Sequence, residues 1–339
     1  MNSRKTIKAI LIVFVMTLLL YYKSYTESLR CHLDPNVTVL LPIEDYSCPP
    51  SRDEISVKDC FKVDNVYHHE PECLIATEND AKWTGLPFVE NFRYTIEPSC
   101  VDYDNRYLLV YVYSYVYHFN QRQELRLKYK KLLGDKLCNQ VKVLFVVGES
   151  DDSSKKRCYS GYEKLLQKEA EMYKDILRLD IIDSYHELVY KGFATFYWIS
   201  KKCHLKTPFL LKMDDDMIYE LDKLWKTIMS LDCMFGKYQL CHVINNGSVI
   251  RKFYDKYGVP YIEYQAEEYP PYCGGHGMLL TQSAAENMYD VAKRENLPIY
   301  RIDDVYFGTL LRRKSCIRIA KLNVTDSGYI IYYKNFTEW

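Results

Sequence analysis

Two groups of carboxylates carry the chemistry this sequence could perform. Asp214, Asp215 and Asp216 end a short apolar run in "FLLKMDDDMIYE" (Phe209 to Glu220), and Asp303 and Asp304 open "IDDVYFGTLL". Adjacent anions repel, so the triplet needs a neutralising partner: a divalent cation, a helix start, or solvent. Hard carboxylate oxygens suit Mg2+ or Mn2+, which can bridge a substrate diphosphate. The helix alternative rests on "MIYELDKLWKTIMSL", which comes directly after with helical spacing, since acids favour a helix N-terminus. The second pair could supply an oriented base for a hydroxyl nucleophile, or only the acids of another helix start. Between the two groups lies "YPPYCGGHGMLLT" (Tyr269 to Thr281). Its prolines favour an extended, rigid loop, and Gly274, Gly275 and Gly277 let backbone approach a ligand or a neighbouring strand. Tyr269 and Tyr272 could present rings to a sugar. A tight structural turn held by Cys273 is the plainer alternative.

These groups need elements to hold them. "YLLVYVYSYV" (Tyr107 to Val116), "VKVLFVVGE" (Val141 to Glu149), "DILRLDII" and "TPFLLKM" read as buried strands, and "GYEKLLQKEAEMY" (Gly161 to Tyr173) and "ELVYKGFATFYWISKKC" as helices. Near-continuous apolar strands alternating with helices predict an α/β fold, with a mostly parallel sheet and helices on both faces. In such a sheet ligands bind beyond the carboxyl ends of the strands, and the triplet lies just past one such end.

The chain of 339 residues is long enough for one large domain or two ordinary ones. Its 45 basic and 45 acidic residues balance, which points away from nucleic acid as a partner. In residues 1–8, Arg4, Lys5 and Lys8 precede the apolar run of residues 9–22. That run is short for a spanning helix, but no small-residue cleavage site comes after it, and Lys8 can snorkel. We read an uncleaved signal anchor with the remainder lumenal; a cleaved signal peptide is the alternative. N-glycosylation sequons at Asn36, Asn246, Asn323 and Asn335 and an even set of 12 cysteines agree with an oxidising compartment. Residues 23–104, irregular and punctuated by proline and cysteine, read as a stem with a disulfide-held extension, or as a disordered tether. Residues 105–339 form the catalytic domain of this reading.

Six blocks, in order, resemble glycosyltransferase family 31, the β-1,3-galactosyltransferase and β-1,3-N-acetylglucosaminyltransferase group. "RQELRLKY" (Arg122 to Tyr129) is similar to the family's R-x-x-I-R-x-T-W, and "VLFVVG" to its second strand. "EAEMYKDILRLDIIDSYHELVYK" (Glu169 to Lys191) is similar to E-x-x-x-Y-x-D-I-I-x-x-D-F-x-D-x-Y-x-N-L-x-x-K. "FLLKMDDDM" resembles the metal-binding strand end, "YPPYCGGHG" resembles Y-P-P-Y-C-S-G-x-G, and "IDDVYFG" resembles E-D-V-Y-V-G.

The resemblance implies a nucleotide-sugar-binding glycosyltransferase fold of the A type and an inverting, metal-dependent reaction. It implies that Asp214, Asp215 and Asp216 hold Mn2+ on the diphosphate of a UDP-sugar, and that Asp304 deprotonates the acceptor hydroxyl. Donor contacts fall on Ser114, beside the uridine, and on Arg122, Arg126 and Lys191; the two arginines sit near the nucleotide or brace the first helix. Acceptor or loop contacts fall on Tyr269, Tyr272, Gly275, His276 and Asp303, the last replacing the family's Glu. One departure stands out: the family commonly supplies a downstream histidine to the metal, and here no histidine comes after His276. The implied protein is a Golgi type II membrane enzyme moving a hexose, galactose first, to a glycan hydroxyl in β-1,3 linkage. N-acetylglucosamine transfer and a non-catalytic lumenal binding protein on the same fold are the alternatives.

Overall fold

In the computed structural model, successive strand residues point to opposite faces of one sheet, and helices cover both. The structure describes residues 66–68, 83–88, 90–150, 156–221, 237–252, 254–322 and 330–332, with 224, 225 and 228. The apolar run of residues 9–22 and the sequons at Asn36, Asn323 and Asn335 lie outside the described residues.

The strands are β1 (Val66–His68), β2 (Tyr94–Ile96), β3 (Leu108–Tyr113), β4 (Val141–Glu149), β5 (Ile176–Ile182), β6 (Phe209–Asp214), β7 (Met217–Tyr219), β8 (Tyr238–Ile244), β9 (Gly247–Ser248), β10 (Glu268–Tyr269), β11 (Tyr272–Thr281), β12 (Arg318–Leu322) and β13 (Ile330–Tyr332). The helices are α1 (Phe119–Leu137), α2 (Lys156–Tyr173), α3 (Leu188–Tyr197), α4 (Gln282–Arg294) and α5, which begins at Asp303–Val305 and continues to Lys314. Nine strands form one sheet in the order β1-β12-β8-β11-β6-β3-β4-β5-β2. β6, β3, β4 and β5 run parallel, and β11 is antiparallel to both β6 and β8.

The continuous apolar runs follow from burial on both faces. Leu108, Val110 and Val112 of β3 pack with Phe119 and Leu125 of α1 and Leu166 of α2. Leu109, Tyr111 and Tyr113 pack on the other side with Phe193 of α3, Met288 of α4 and Phe307 of the α5 continuation. The chain steps from β3 to β4 and β5, then returns to place β6 on the other side of β3. That reversal makes the gap beyond the ends of β3 and β6 the ligand crevice of an open α/β sheet.

Two local expectations change. The helix expected directly after the aspartate triplet is delayed: a short strand comes first, and Leu221, Leu224, Trp225 and Ile228 are helical. Met217, Ile218 and Tyr219 are buried and form β7, which pairs with β13, so Asp215 and Asp216 occupy a turn between two strands. Tyr272–Thr281 is a strand and not a loop, with its register broken between Cys273 and Met278. The N-terminal extension also contributes to the sheet: β2 pairs with β5 at one edge and β1 with β12 at the other.

Disulfides join Cys100 to Cys203 and Cys241 to Cys273. The first closes 103 residues of chain, so it constrains the unfolded state strongly. Replacing Cys100 and Cys203 together by Ser is expected to lower stability by about 2–5 kcal/mol, read from the urea midpoint at constant slope.

Candidate active site

The end of β3 is fixed by buried ion pairs that α1 supplies. Arg122, in the first turns of α1, is fully buried. Its Nε and Nη2 donate to Glu169 at 3.0 and 2.7 Å, its Nη2 also to the Val116 carbonyl at 3.2 Å, and its Nη1 to the Tyr115 carbonyl at 2.8 Å and Ser114 Oγ at 3.1 Å. The guanidinium fork therefore holds Ser114, Tyr115 and Val116 in one conformation. Ser114 Oγ lies 2.6 Å from Asp215 Oδ2, and His118 Nδ1 lies 2.8 Å from the same oxygen. Lys191 of α3, also buried, donates to the Ser114 carbonyl at 3.1 Å and pairs with Asp183 at 2.5 Å. Asp183 in turn accepts from the Gly148 amide at 3.0 Å. Ser114, Arg122, Lys191 and Asp215 thus meet at the carboxyl ends of β3, β4 and β5. Arg126 does not join them: it forks on Asp175 at 2.7 Å from both Nε and Nη2, and donates to Glu169 at 2.7 Å. Its guanidinium lies 4.0 Å from the Tyr173 ring and 4.8 Å from that of Phe145, so it braces α1 rather than facing a ligand.

One lysine links the two carboxylate groups. Side chains alternate along β6, so Lys212 and Asp214 share the face that carries Tyr113 and α5. Lys212 Nζ is buried and lies 3.3 Å from Asp214, 3.3 Å from Asp303 and 3.6 Å from Asp304. The crowding leaves its mark on the acids. Burial, then the charges of Asp303, Asp216 and Asp215, push the Asp214 carboxyl up to about 6 against the pull of Lys212. Burial and the neighbouring Asp303 push Asp304 up to about 7, and Asp216 is raised by burial and by Asp215. Asp303 is 3 % exposed and backs the Lys212 ammonium, while the Asp304 side chain keeps 21 % of its surface open.

β11 passes close over Asp304. A Cβ built on Gly275 would stand 2.7 Å from Asp304 Oδ2, so the bare backbone there gives the carboxyl its room. Gly277 has φ +113°, and a Cβ there would overlap the Tyr219 hydroxyl at 2.0 Å. Tyr272 is half-buried, and the Asp304 charge helps raise the pKa of its hydroxyl, after burial. Tyr185 is affected likewise, by burial first and then by Asp303 and Asp304. Tyr269 is a different case. It is 7 % exposed and its hydroxyl pairs with that of Tyr300 at 2.7 Å, so its ring supports the site from within. Of His276 only the strand backbone is described. Asn246 is exposed, in a left-handed conformation (φ 53°) between β8 and β9, and open to modification.

Sequence reasoning missed Lys212, His118, Asp183 and Tyr185. Lys212 carried a signal, a cation inside the apolar run "FLLKM". Asp183 and Tyr185 fall on named positions of the Glu169 to Lys191 block, and only His118 had to wait until β3 and β6 lay side by side.

Among the described residues, no three carboxylate, imidazole or thiol groups converge closely enough to hold a metal ion by themselves. The donor set still fits a hard cation. Asp214 ends β6 and Asp216 lies in the turn after it, and both carboxyls are raised first by burial and then by their acidic neighbours. Mg2+-like ions are commonly held by one or two carboxylates, with substrate phosphates completing the shell.

The galactosyltransferase family model matches residues 120–321. The chain belongs to this family, glycosyltransferase family 31. It is 32% identical over 190 residues to human N-acetyllactosaminide β-1,3-N-acetylglucosaminyltransferase 3, covering 56% of this chain and 49% of the relative. It is 27% identical over 230 residues to mouse lactosylceramide 1,3-N-acetyl-β-D-glucosaminyltransferase (67% and 59% covered). Human UDP-GalNAc:β-1,3-N-acetylgalactosaminyltransferase 1 is 26% identical over 239 residues (69% and 67%). The chain thus spans about half to two thirds of the curated relatives it matches. A mannosyltransferase from Pyrobaculum calidifontis, solved with GDP-mannose and Mn2+, overlays 70% of this chain and 62% of its own at 12% identity, with a TM-score of 0.34. That overlay is too remote to say anything of ligands. The fold is α/β, with helices on both faces of a mixed sheet whose β3, β4, β5 and β6 run parallel.

Removing the shared cation should be costly. Lys212→Met is expected to destabilise the protein by about 3 kcal/mol, because the buried Asp303 loses its partner cation. The attraction exists only while the acids are ionised, so it is present above their pKa values and lost as pH falls through about 7 and about 6. The urea midpoint of Lys212→Met, relative to the parent, should therefore be lower at pH 8 than at pH 5.

Proposed function

We propose that the chain is an inverting, UDP-sugar-dependent β-1,3-glycosyltransferase acting on glycan acceptors. The observation that carries this reading is the pair of carboxylate groups held apart, yet tied together, by Lys212 at the sheet's ligand crevice. Transfer needs negative groups in two places with two roles. Asp214 and Asp216, beyond β6, would hold a divalent cation such as Mn2+, which would offset the charge that builds on the leaving diphosphate. Asp215 takes a positioning role in this reading, since Ser114 and His118 already occupy its Oδ2. Lys191, Arg122 and Ser114 shape the donor wall.

Asp304 is the base. Its raised pKa suits proton transfer near neutrality, and Gly275 leaves space over the carboxyl for an incoming hydroxyl. The acceptor oxygen gives its proton to Asp304 and bonds to the anomeric carbon as the bond from that carbon to UDP breaks on the opposite face. Asp303 stays paired with Lys212.

For the donor, the relatives' names favour an N-acetylhexosamine over galactose: two are N-acetylglucosaminyltransferases and one an N-acetylgalactosaminyltransferase. We place N-acetylglucosamine first and galactose second. A type II Golgi location rests on residues 9–22; among the described residues no helix is long and apolar enough to cross a membrane.

UDP release from UDP-GlcNAc, UDP-GalNAc and UDP-Gal, with Mn2+ and a β-galactoside acceptor, tests the reading. Turnover with UDP-GlcNAc exceeding that with UDP-Gal is expected; no turnover with any donor would refute it. Asp304→Asn should reduce kcat at least about a hundredfold while leaving UDP affinity within a factor of about two. The same variant should gain stability without ligands. A carboxyl whose folded pKa is raised loses stability as pH climbs from its ordinary 3.8 to about 7. Melting curves should therefore show a gain for Asp304→Asn that grows over that interval and is constant above it.

A further inference from the structure

A cavity of about 380 Å³ opens between the N-terminal extension and the residues around His186 and Arg301. Part of its wall comes from outside the family match of residues 120–321: Thr84, Gly85 and Leu86 of the N-terminal extension. This segment is held firmly. Trp83 bridges Tyr264, Leu86 bridges Ile299, and the Thr84 amide and hydroxyl donate to the Glu263 and Ile262 carbonyls at 2.8 and 2.9 Å. A Cβ on Gly85 would overlap the Ile299 carbonyl oxygen at 1.8 Å, so the segment runs flush against the catalytic domain.

The rest of the wall leads back to the reaction centre. Arg301 lies three positions before Asp304, and His186 comes directly after Tyr185, whose ring feels the Asp303 and Asp304 charges. Tyr185 and Tyr257 meet edge to face at 5.3 Å, next to Tyr272.

The lining chemistry narrows the occupant. The charge of Arg301 is matched by Glu263, to which both its Nε and its Nη2 donate. Glu187 adds a further carboxyl, so the wall is net negative and repels sialic acid or sulfate groups. Burial first, and then the Arg301 charge, keep His186 below its ordinary pKa, which disfavours a positive charge on this wall. Tyr190, Leu86 and Ile299 supply apolar surface and a ring. Scattered hydrogen-bonding groups on an apolar and aromatic wall suit a neutral sugar, and the volume sits at the low end for small-molecule sites, roughly 300–1,000 Å³.

We propose that this cavity is a distal acceptor subsite that takes the uncharged sugar rings of an oligosaccharide beyond its reacting hydroxyl, with the N-terminal extension as one wall. This rests on the transferase reading, with Asp304 as the base. It makes residues 84–86 a specificity element for acceptor length.

The test compares kcat/KM for a neutral β-galactose-terminated tetrasaccharide with that for methyl β-galactoside, using the full chain with UDP-GlcNAc and Mn2+. The parent should favour the tetrasaccharide by about tenfold or more. His186→Ala, which removes a wall group, and Thr84→Trp, which fills the space from the extension, should each bring that ratio close to one. A ratio is read because any general loss of folded protein cancels in it. A parent ratio near one, or a parent preference that both variants keep, overturns the proposal. If no acceptor turns over, the transferase reading has failed instead. The subsite is then decided by saturation-transfer NMR with the tetrasaccharide: signal on the parent that His186→Ala loses supports it, and no signal overturns it.

Discussion

A single buried ammonium holds the catalytic end of this molecule together. Lys212 lies in the middle of a parallel strand that is covered on both faces, where an unpaired cation would be prohibitively costly. Asp214 on its own strand and Asp303 and Asp304 on α5 surround it. The lysine therefore sets the separation between the β6–β7 turn and α5, elements about ninety residues apart in sequence. Three carboxylates surround this one cation, and burial first, then their mutual repulsion, raises Asp214 and Asp304. Acids held above their ordinary pKa weaken the fold at this point.

A second buried network does for the donor side what Lys212 does for the centre. Arg122 engages two backbone carbonyls, one serine and one carboxylate, and so freezes the chain where β3 leaves the sheet. Arg126 and Lys191 extend the lattice of charges to Asp175 and Asp183. Most of these charges are satisfied by protein and not by ligand. They supply rigidity at the crevice, leaving the acids of the β6–β7 turn to meet the substrate.

Much of this architecture could be read from residue order. The four parallel strands were legible because each is apolar on both faces, and the triplet's place at a strand end came with them. The strand just beyond the triplet was not legible. "MIYELDKLWKTIMSL" has helical spacing, yet Met217 to Tyr219 pair with Ile330 to Tyr332, a partner more than a hundred residues away that no local pattern reports. The same holds for "YPPYCGGHGMLLT": its prolines spoke for a loop, but the sheet needed a strand between β6 and β8, while its glycines make the close approach expected of them, clearing Asp304 and Tyr219. Arg126 and Tyr269 looked like ligand contacts because family motifs include residues that only brace. Their roles emerge from what surrounds them, two carboxylates and two rings for one, the Tyr300 hydroxyl for the other.

The two outermost strands of the sheet both come from the segment ahead of the catalytic part. β2 closes the β5 edge, and β1 closes the opposite edge by pairing with β12, Val66 opposite Leu322. On the ribosome these partners emerge at opposite ends of synthesis. Residues 66–68 leave the exit tunnel early and then wait while more than two hundred further residues are made before their hydrogen-bonding partner exists. The sheet's last ladder is thus a join between an early-made strand and a late-made one, and it can form only after translation has passed β12. Until then β12, once made, has an unsealed edge, the kind of surface that chaperones of the folding compartment guard.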